Sequence, residues 1–444
     1  MPRTTVLVGA LYLANAVAAL GRERIITTTF GANRALDSYF LALGIVTLVA
    51  SVPSRAVSGP LIPALARLGR GSEQEQLRLA SAVLTGITVL LGFVAVAVGL
   101  AAPWLIRVAA PGLSAQELSV VRGLLLLLTP LVIFLGLYEV WRSLLNAFFD
   151  FWTPLLAPIA NALVAAGIIV AVRPLLGFSS LLVGVLLGGL VQVGIMAAVW
   201  HLRHVPIEVR WAPSDPNLRR LLAPCGWSAM LIVIGQLTVR VDSALGSFLP
   251  PGNITALSYG YRLTDLANML LIISATTVAF PGLSRQVAER DLHRFLATCK
   301  MRAGILALVV APVSAALVIF SQPLVGLLLG GGQFDQNAVH LTAQALSAYA
   351  LGLVPLALAT YLATAMYALL QMRLLVAQGV VILALKAVLA LALIRPLGTV
   401  GVALSQTLTY TLMTPLLALA VWWGASRHRD TKEVAWTETP AASI

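Results

Sequence analysis

Charged side chains interrupt long apolar stretches of this chain: Arg22, Arg24, Asp37, Arg55, Glu139, Arg142, Arg240, Asp242, Arg262, Asp265 and Lys386. If those stretches lie in a membrane, each charge near a helix centre costs about 2.5 to 3.5 kcal/mol on insertion scales, so each is a functional candidate by default. Guanidinium groups engage planar, multiply charged oxygens through paired hydrogen bonds, which a lysine point charge does less well. Arginines are therefore the side chains in this set best suited to bind a multiply charged anion if several of them face a common cavity. Arg24 is read either as a further ligand or as a side chain snorkelling outward, and Arg142 as an anchor near the headgroups. Lys386 sits in the middle of "VVILALKAVLALAL" with no polar residue within a turn, so it must find a partner or lose its proton. Asp242 lies at a compatible depth and is the expected partner.

The elements that must position these groups follow from composition. The chain has 444 residues, of which 59% are hydrophobic and only 10% charged, far from the quarter-charged composition of soluble domains. Backbone polar groups cannot go unpaired in hydrocarbon, and the apolar runs lack the alternation of barrel strands, so the fold class is all-α and polytopic. On a ruler of roughly 20 apolar residues per crossing, about twelve spans are expected, near 4–21, 38–66, 79–105, 121–147, 152–173, 179–202, 219–248, 254–284, 300–320, 340–370, 374–394 and 398–424. The runs 38–66 and 254–284 are long enough to be kinked or broken. The first run lacks a small-residue cleavage pattern and is kept as a span rather than a secretory leader.

Lys and Arg collect in loops expected on one side, among them Arg67, Arg70, Arg78, Arg203, Arg285 and Lys300, whereas "LPPGN" and "GGGQFDQN" carry neither. By the positive-inside bias both termini are cytoplasmic. The formal charge of +12 is this bias plus attraction to membrane lipids. It is not a nucleic-acid footprint, since the charges are spread over many loops. Cys225 and Cys299 have no disulfide or metal spacing, and His201, His204, His293, His340 and His428 fall at loops or span ends. No phosphate-binding Gly-rich loop occurs, and no nucleophile, base or metal cluster suggests an enzyme.

Sliding the sequence over itself by about 220 residues superimposes Arg22 on Arg240, Phe30 on Phe248, Pro63 on Pro281, Pro103 on Pro323, Gly112 on Gly332, and "RPLLG" from Arg173 on "RPLG" from Arg395. Six spans separate the copies, an even number, so the repeats are parallel. The expected layout is an N-lobe over 1–203, a cytoplasmic linker over 204–218, a C-lobe over 219–424, and a flexible cytoplasmic tail over 425–444. In such folds the site lies between the lobes, and rocking of the lobes gives alternating access.

The stretch "RSLLNAFFDFWTPLLAPIANAL" places Asp150 in the turn between spans four and five. Pro154 then falls in the first helical turn, where its missing N–H costs little. Pro158 removes an intrahelical bond and is expected to bend a gate helix, with Asn161 supplying hydrogen bonds to the bent segment, lining a wet cavity, or gluing the bundle.

"LLNAFFDFWTPLLAPIAN" resembles the fourth-to-fifth span junction of the MurJ (MviN) lipid II flippases, within the multidrug/oligosaccharidyl-lipid/polysaccharide exporter superfamily. "FGANRALDSYF", "APWLIRVAAPG", "GNITALSYGYRL" with "FPGLSRQ", and "GGQFDQNAVHLTAQALSAYALGL" agree in the same order. The resemblance implies a flippase of the undecaprenyl-diphosphate-linked peptidoglycan precursor in the bacterial cytoplasmic membrane. Its site would be a cationic cavity that holds Arg22, Arg262 and, through the repeat, Arg240, with Asp37 and Thr255 at matching positions. The family's earlier span-one arginine is Ala16 or a neighbour here, its span-two Arg-Arg pair is replaced by "IVTLVAS" with Arg55 nearby, its acidic residue before the span-eight arginine is Tyr261, and its last two spans find no match. Some family members bind sodium in the C-lobe; here the Lys386 ammonium would replace that ion and pair with Asp242.

No cofactor is expected; energy would come from the membrane potential or a monovalent ion, with Asp37, Asp242 or Glu139 as protonatable groups. Expected partners are the lipid-linked precursor and membrane lipids, with other cell-wall synthesis proteins as candidates, and a monomer is the expected state. The alternatives are an exporter of another lipid-linked saccharide or amphiphile, and a transport-inactive scaffold.

Overall fold

The computed structural model describes residues 2–68, 73–202, 208–369 and 371–430, with the side chains of residues 2–8, 73, 273–278 and 427–430 left aside. Arg70, Arg203 and His204, much of the expected linker's start and the tail beyond residue 430 lie outside the described residues.

The first half comprises α1 (Pro2–Phe30), α2 (Arg34–Arg67), α3 (Glu73–Ala109), α4 (Ala115–Leu128), α5 (Pro130–Ala147), α6 (Thr153–Leu176) and α7 (Ser179–Leu202). A short helix, α8 (Pro216–Leu222), packs on α2 and α3. The second half comprises α9 (Cys225–Gly246), α10 (Asn253–Asn268), α11 (Ser274–Ala288), α12 (Leu292–Ile319), α13 (Ser321–Leu329), α14 (Gln336–Leu351), α15 (Leu353–Ala368) and α16 (Met372–Asp430). Among the described residues there is no strand. Among the described residues seven helices are long and apolar enough to cross a membrane, and two bent pairs, α4 with α5 and α14 with α15, bring the number to nine. The 59-residue α16 turns at Gly398 into two arms; with α1 and the α10–α11 segment, twelve helical segments of crossing length result.

Several local features explain where helices start and stop. Asn33 caps α2 through bonds from the backbone of Ala35 and Leu36, Ser114 and Glu117 form a reciprocal capping box on α4, and Asp335 caps α14. Pro130 opens α5, where a missing N–H is tolerated.

The repeat is visible in the backbone. The α4–α5 pair bends by 47° and its counterpart α14–α15 by 46°. Gly177, between α6 and α7, has φ 54° and ψ −126°, while Gly398, between the arms of α16, has φ 54° and ψ −127°. A side chain is strained at such angles, so the "RPLLG" and "RPLG" copies place glycine where the chain must reverse. The two six-helix lobes are thus parallel pseudo-twofold copies.

The breaks and ends of the helices differ in part from the sequence expectations. The run expected at 38–66 is one continuous helix despite Pro53, Pro60 and Pro63, whereas the breaks in spans four and ten were not anticipated. The run 254–284 is interrupted by a π-helical turn, Met269–Ile273, between α10 and α11. The first span ends at Phe30 rather than near residue 21, which puts Arg22, Glu23 and Arg24 inside a helix; α16 likewise continues past 425 to Asp430.

Packing is asymmetric between the lobes. A single apolar core runs through the first half and continues into Ile254, Tyr259 and Leu263 of α10 and Val339 and Leu346 of α14. Two smaller cores, around Phe295, Tyr361 and Met366 and around Tyr349 and Val402, hold the second half. The interface between lobes is therefore closed by apolar contact at the end where α1 meets α2, and a cleft remains farther along α2.

Candidate functional site: a cationic cleft along one face of α2

The cleft is lined by one face of α2, with Phe40, Gly44, Thr47, Ser51 and Arg55 in turn, and by α5, α7, α9, α10 and Tyr349 of α14. These α2 positions recur at three- and four-residue steps, which places them on one stripe.

At the Phe40 level the cleft ends in an arginine pair. Glu23 Oε1 accepts from Arg22 Nη2 at 2.8 Å and from Arg262 Nη1 at 2.9 Å. The Arg262 guanidinium lies 4.8 Å from the Phe40 ring centroid and 5.9 Å from that of Tyr259, within cation–π range. Phe40 and Tyr259 meet edge to face at 5.2 Å, which fixes the platform. Arg262 retains 37% exposure of its side chain toward the cleft, whereas the Glu23 side chain keeps 11%. Arg22 does not line the cleft; it stands behind Glu23, with Nη1 directed at Asn161 Oδ1 at 3.4 Å. Two guanidinium groups against one carboxylate leave one positive charge in excess, on α10 and α1 together, so the pair bridges the two lobes.

Arg240 of α9 reaches across from the second lobe and donates to Thr47 Oγ1 at 3.2 Å. Gly44 makes room for it, since a Cβ there would stand 2.7 Å from Arg240 Nη1. No carboxylate pairs with Arg240 among the described residues, and its Nε has no hydrogen-bond partner. Arg55, at the far end of the cleft, donates from Nε to Glu139 Oε1 at 3.3 Å, and Arg142 holds the other oxygen at 2.7 Å. Of the expected ligands, Arg55, Arg240 and Arg262 therefore line one cleft.

Other expected ligands do not. Asp37 Oδ1 accepts from Thr255 N at 2.7 Å and Thr255 Oγ1 at 2.6 Å, and Oδ2 accepts from Gly252 N at 2.6 Å. Gly252, which precedes α10, offers no side-chain cap, so the carboxylate of α2 satisfies the first donors of α10. Both residues are buried, and these bonds form a latch between the lobes. Around it, Thr27 Oγ1 donates to Leu329 O at 2.7 Å, Gly112 N to Ser247 Oγ at 3.0 Å, and Gln333 N to Thr28 O at 2.9 Å. Arg24 is exposed on the opposite face of α1 and donates to Leu327 O at the end of α13. It differs from Arg22 because two helical residues move a side chain about 200° around the axis.

The "RSLLNAFFDFWTPLLAPIANAL" stretch forms the end of α5, a turn and the start of α6. Asp150 Oδ1 accepts from Trp152 N and Thr153 N, and Oδ2 from Thr153 Oγ1, which secures the start of α6. Pro154 lies in the first turn of α6, and Pro158 leaves that helix unbroken from Thr153 to Leu176. The carbonyl that Pro158 deprives of its usual donor, that of Pro154, is bonded by the Tyr138 hydroxyl at 3.2 Å rather than by Asn161. Asn161 instead donates to Gln192 Oε1 at 2.6 Å, which ties α6 to α7 beside Arg22.

In the second lobe, Lys386 is fully buried and donates to Asp242 Oδ2 at 2.9 Å and Gln406 Oε1 at 3.1 Å; Tyr349 donates to the same Asp242 oxygen at 2.9 Å. Lys386 thus joins the two arms of α16 to α9. Asp242 Oδ1, on the cleft side, has no hydrogen-bond partner. Among the described residues no group of three or more His, Cys, Asp or Glu could hold a metal ion.

Sequence reasoning missed Glu23, the residue that joins Arg22 to Arg262. The "RER" triplet was its signal: once α1 continues past residue 21, the middle acid must be buried with its neighbours. It also missed the Glu139 pairing, because nothing in the spacing links Arg55 to a residue 84 positions away.

Comparison with known proteins places this architecture. Residues 26–436 match the family model "Lipid II flippase MurJ". The chain is similar to the lipid II flippase MurJ of Burkholderia cenocepacia, 27% identical over 379 residues that cover 82% of this chain and 73% of that protein. It is similar to the probable lipid II flippase MurJ of Thermotoga maritima, 24% identical over 359 residues covering 79% and 71%. Among solved structures, it superimposes on a lipid II flippase MurJ in an inward closed conformation with a TM-score of 0.79, 19% identity and coverage of 95% and 90%. An inward-facing multidrug resistance MATE transporter of the MOP superfamily gives 0.76, 14% identity and coverage of 94% and 96%. Those structural likenesses establish the fold, and the family match over most of the length, with the bridged arginine pair at the lobe interface, shows that this chain belongs to the MurJ lipid II flippase family.

Proposed function

We propose that this protein is a transporter, not an enzyme, and that it moves the undecaprenyl-diphosphate-linked peptidoglycan precursor, lipid II, across the bacterial cytoplasmic membrane by alternating access. The single observation that carries the reading is the Arg22–Glu23–Arg262 arrangement. One carboxylate serves two guanidinium groups contributed by different lobes, so the cleft holds positive charge that a diphosphate can neutralise with paired hydrogen bonds. A cationic drug would meet that charge as repulsion, and an uncharged amphiphile would leave it unused.

The lobes, 1–203 and 219–424, rock about the linker. The Asp37 latch holds one end shut while Arg55 and Glu139 mark the mouth at the other, about 27 Å away at 1.5 Å per residue along α2. With both termini cytoplasmic, the mouth faces the side on which a lipid-linked precursor is made. The membrane potential is a sufficient source of drive, since one charge moved through 100 mV supplies about 2.3 kcal/mol.

The test is complementation of a strain depleted of its own lipid II flippase, with accumulation of the lipid-linked precursor as readout. The wild-type chain is expected to restore growth and clear the precursor. Normal abundance in the membrane with undiminished accumulation would overturn the assignment of cargo.

A further inference from the structure

Two guanidinium groups share one carboxylate at two depths of the cleft. At the latch end, Arg22 and Arg262 share Glu23. At the mouth, Arg55 and Arg142 share Glu139, with distances of 3.3 Å and 2.7 Å. In each group two guanidinium groups contact one carboxylate, and at the mouth the Asp265 carboxylate of α10 also lies within electrostatic range of Arg55. Between them Arg240 carries a further positive charge, held only by a hydroxyl. The Lys386–Asp242 pair adds no net charge.

The mouth group is poorly designed as a staple and well designed as a receptor. Arg142, three residues from Glu139 on α5, already holds that carboxylate at 2.7 Å within one helix. Arg55 makes a longer single contact from α2, and its side chain is 52% exposed. Glu139 itself is fixed in place, because Ser58 of α2 donates to its carbonyl at 3.1 Å and its side chain is only 15% exposed. Arg55 thus leaves most of its guanidinium donors to the cleft, and Arg142 stands beside it at 45% exposure. By helical rise, the Arg55 level lies about 12 Å from Thr47 and about 22 Å from Phe40. One diphosphate cannot touch both ends at once.

We propose that Arg55, Arg142 and Glu139 form a second, separate anion site at the mouth of the cleft, a receiving station for the diphosphate of a lipid-linked cargo, in which Glu139 competes with the ligand for the two guanidinium groups. The ligand class rests on the function proposed above; the site itself rests on the geometry. The anion displaces Arg55 from Glu139, moves past Arg240, and reaches the Arg22 and Arg262 pair, so cargo passes between like sites rather than falling into one deep trap.

The site is tested by calorimetric titration of the purified full chain in detergent with farnesyl diphosphate as probe, alongside thermal melting of each variant. Arg55→Gln is expected to weaken binding about tenfold, the worth of one charge-assisted hydrogen bond, and Arg55→Lys to recover part of it. Glu139→Gln is expected to tighten binding, because it removes the competing carboxylate and leaves both arginines in place. A purely structural ion pair makes the opposite demand: both neutral variants would lower the melting temperature, and neither would separate the affinities. Equal shifts of the same sign in Arg55→Gln and Glu139→Gln, or no shift in either, would overturn the proposal. The comparison is independent of flippase complementation, so failure of that assay with opposite affinity shifts would reject lipid II as cargo and keep the anion site.

Discussion

Arg22–Glu23–Arg262 and Lys386–Asp242 are both ion pairs within helices of crossing length, yet they are built for opposite purposes. In the first, two cations share one carboxylate oxygen, and Arg262 keeps 37% exposure of its side chain. In the second, one cation meets one carboxylate, Lys386 is fully buried, Gln406 accepts from its ammonium, and Tyr349 donates to the same Asp242 oxygen. A neutral, desolvated pair holds helices in register, and the one atom it leaves unpartnered, Asp242 Oδ1, is an acceptor with nothing to offer an anion. An unbalanced, half-open group is less well satisfied by the protein and so can recognise an anion. The comparison teaches that in hydrocarbon the stoichiometry of charge, more than its presence, separates a structural pair from a site.

The largest effect is expected from removing one member of the buried pair. Lys386→Met leaves Asp242 buried without its cation, a loss of about 3 to 5 kcal/mol when one partner of a buried pair is deleted. Thermal melting in detergent and abundance in the membrane check it, and adding Asp242→Asn should restore most of the loss. Failure of that second change to rescue would show that the ammonium acts through something other than Asp242. In the open group the sign of the comparison inverts: Arg262→Ala should abolish flippase complementation at normal abundance, with a stability change within about 1 kcal/mol, as for a partly exposed ion pair. Full complementation by this variant would remove Arg262 from the binding site.

The latch lies between these extremes. Asp37→Ala strips three hydrogen bonds from the start of α10, and at about 1 kcal/mol or more for each bond to a charged acceptor the closed end should open. Distance measurements between spin labels on the loops before α2 and α10 should show a longer population, with little change at the Arg55 mouth. The smallest effect is expected for Tyr138→Phe, which leaves the Pro154 carbonyl without its hydroxyl donor. A loss of about 1 kcal/mol in melting experiments is expected, and Pro158→Ala should cancel it by restoring the backbone donor.

Much of this was legible in residue order. The lack of charge over runs of crossing length dictates helices, because no other open backbone is satisfied in hydrocarbon. The 220-residue repeat announced two parallel lobes, and the matched glycines reverse the chain at the same angles. The isolation of Lys386 required a partner, and Asp242 was the acid at the right depth. These inferences succeed because they concern totals: a helix needs its apolar length, and a buried charge needs a counter-charge.

What only the tertiary structure decided is which face each charge presents and which lobe answers it. Arg22 and Arg24 have the same chemistry two residues apart, yet one backs the cleft through Glu23 and the other binds a carbonyl of α13. Asp37 and Thr255 bond to each other across the lobes, and Glu139, one charge among several in the sequence, lies against Arg55 from another helix. Sequence fixes how many charges must be compensated, since that is a local energy. The pairing depends on helix rotation and lobe separation, which are set by the packing of side chains far apart in the chain.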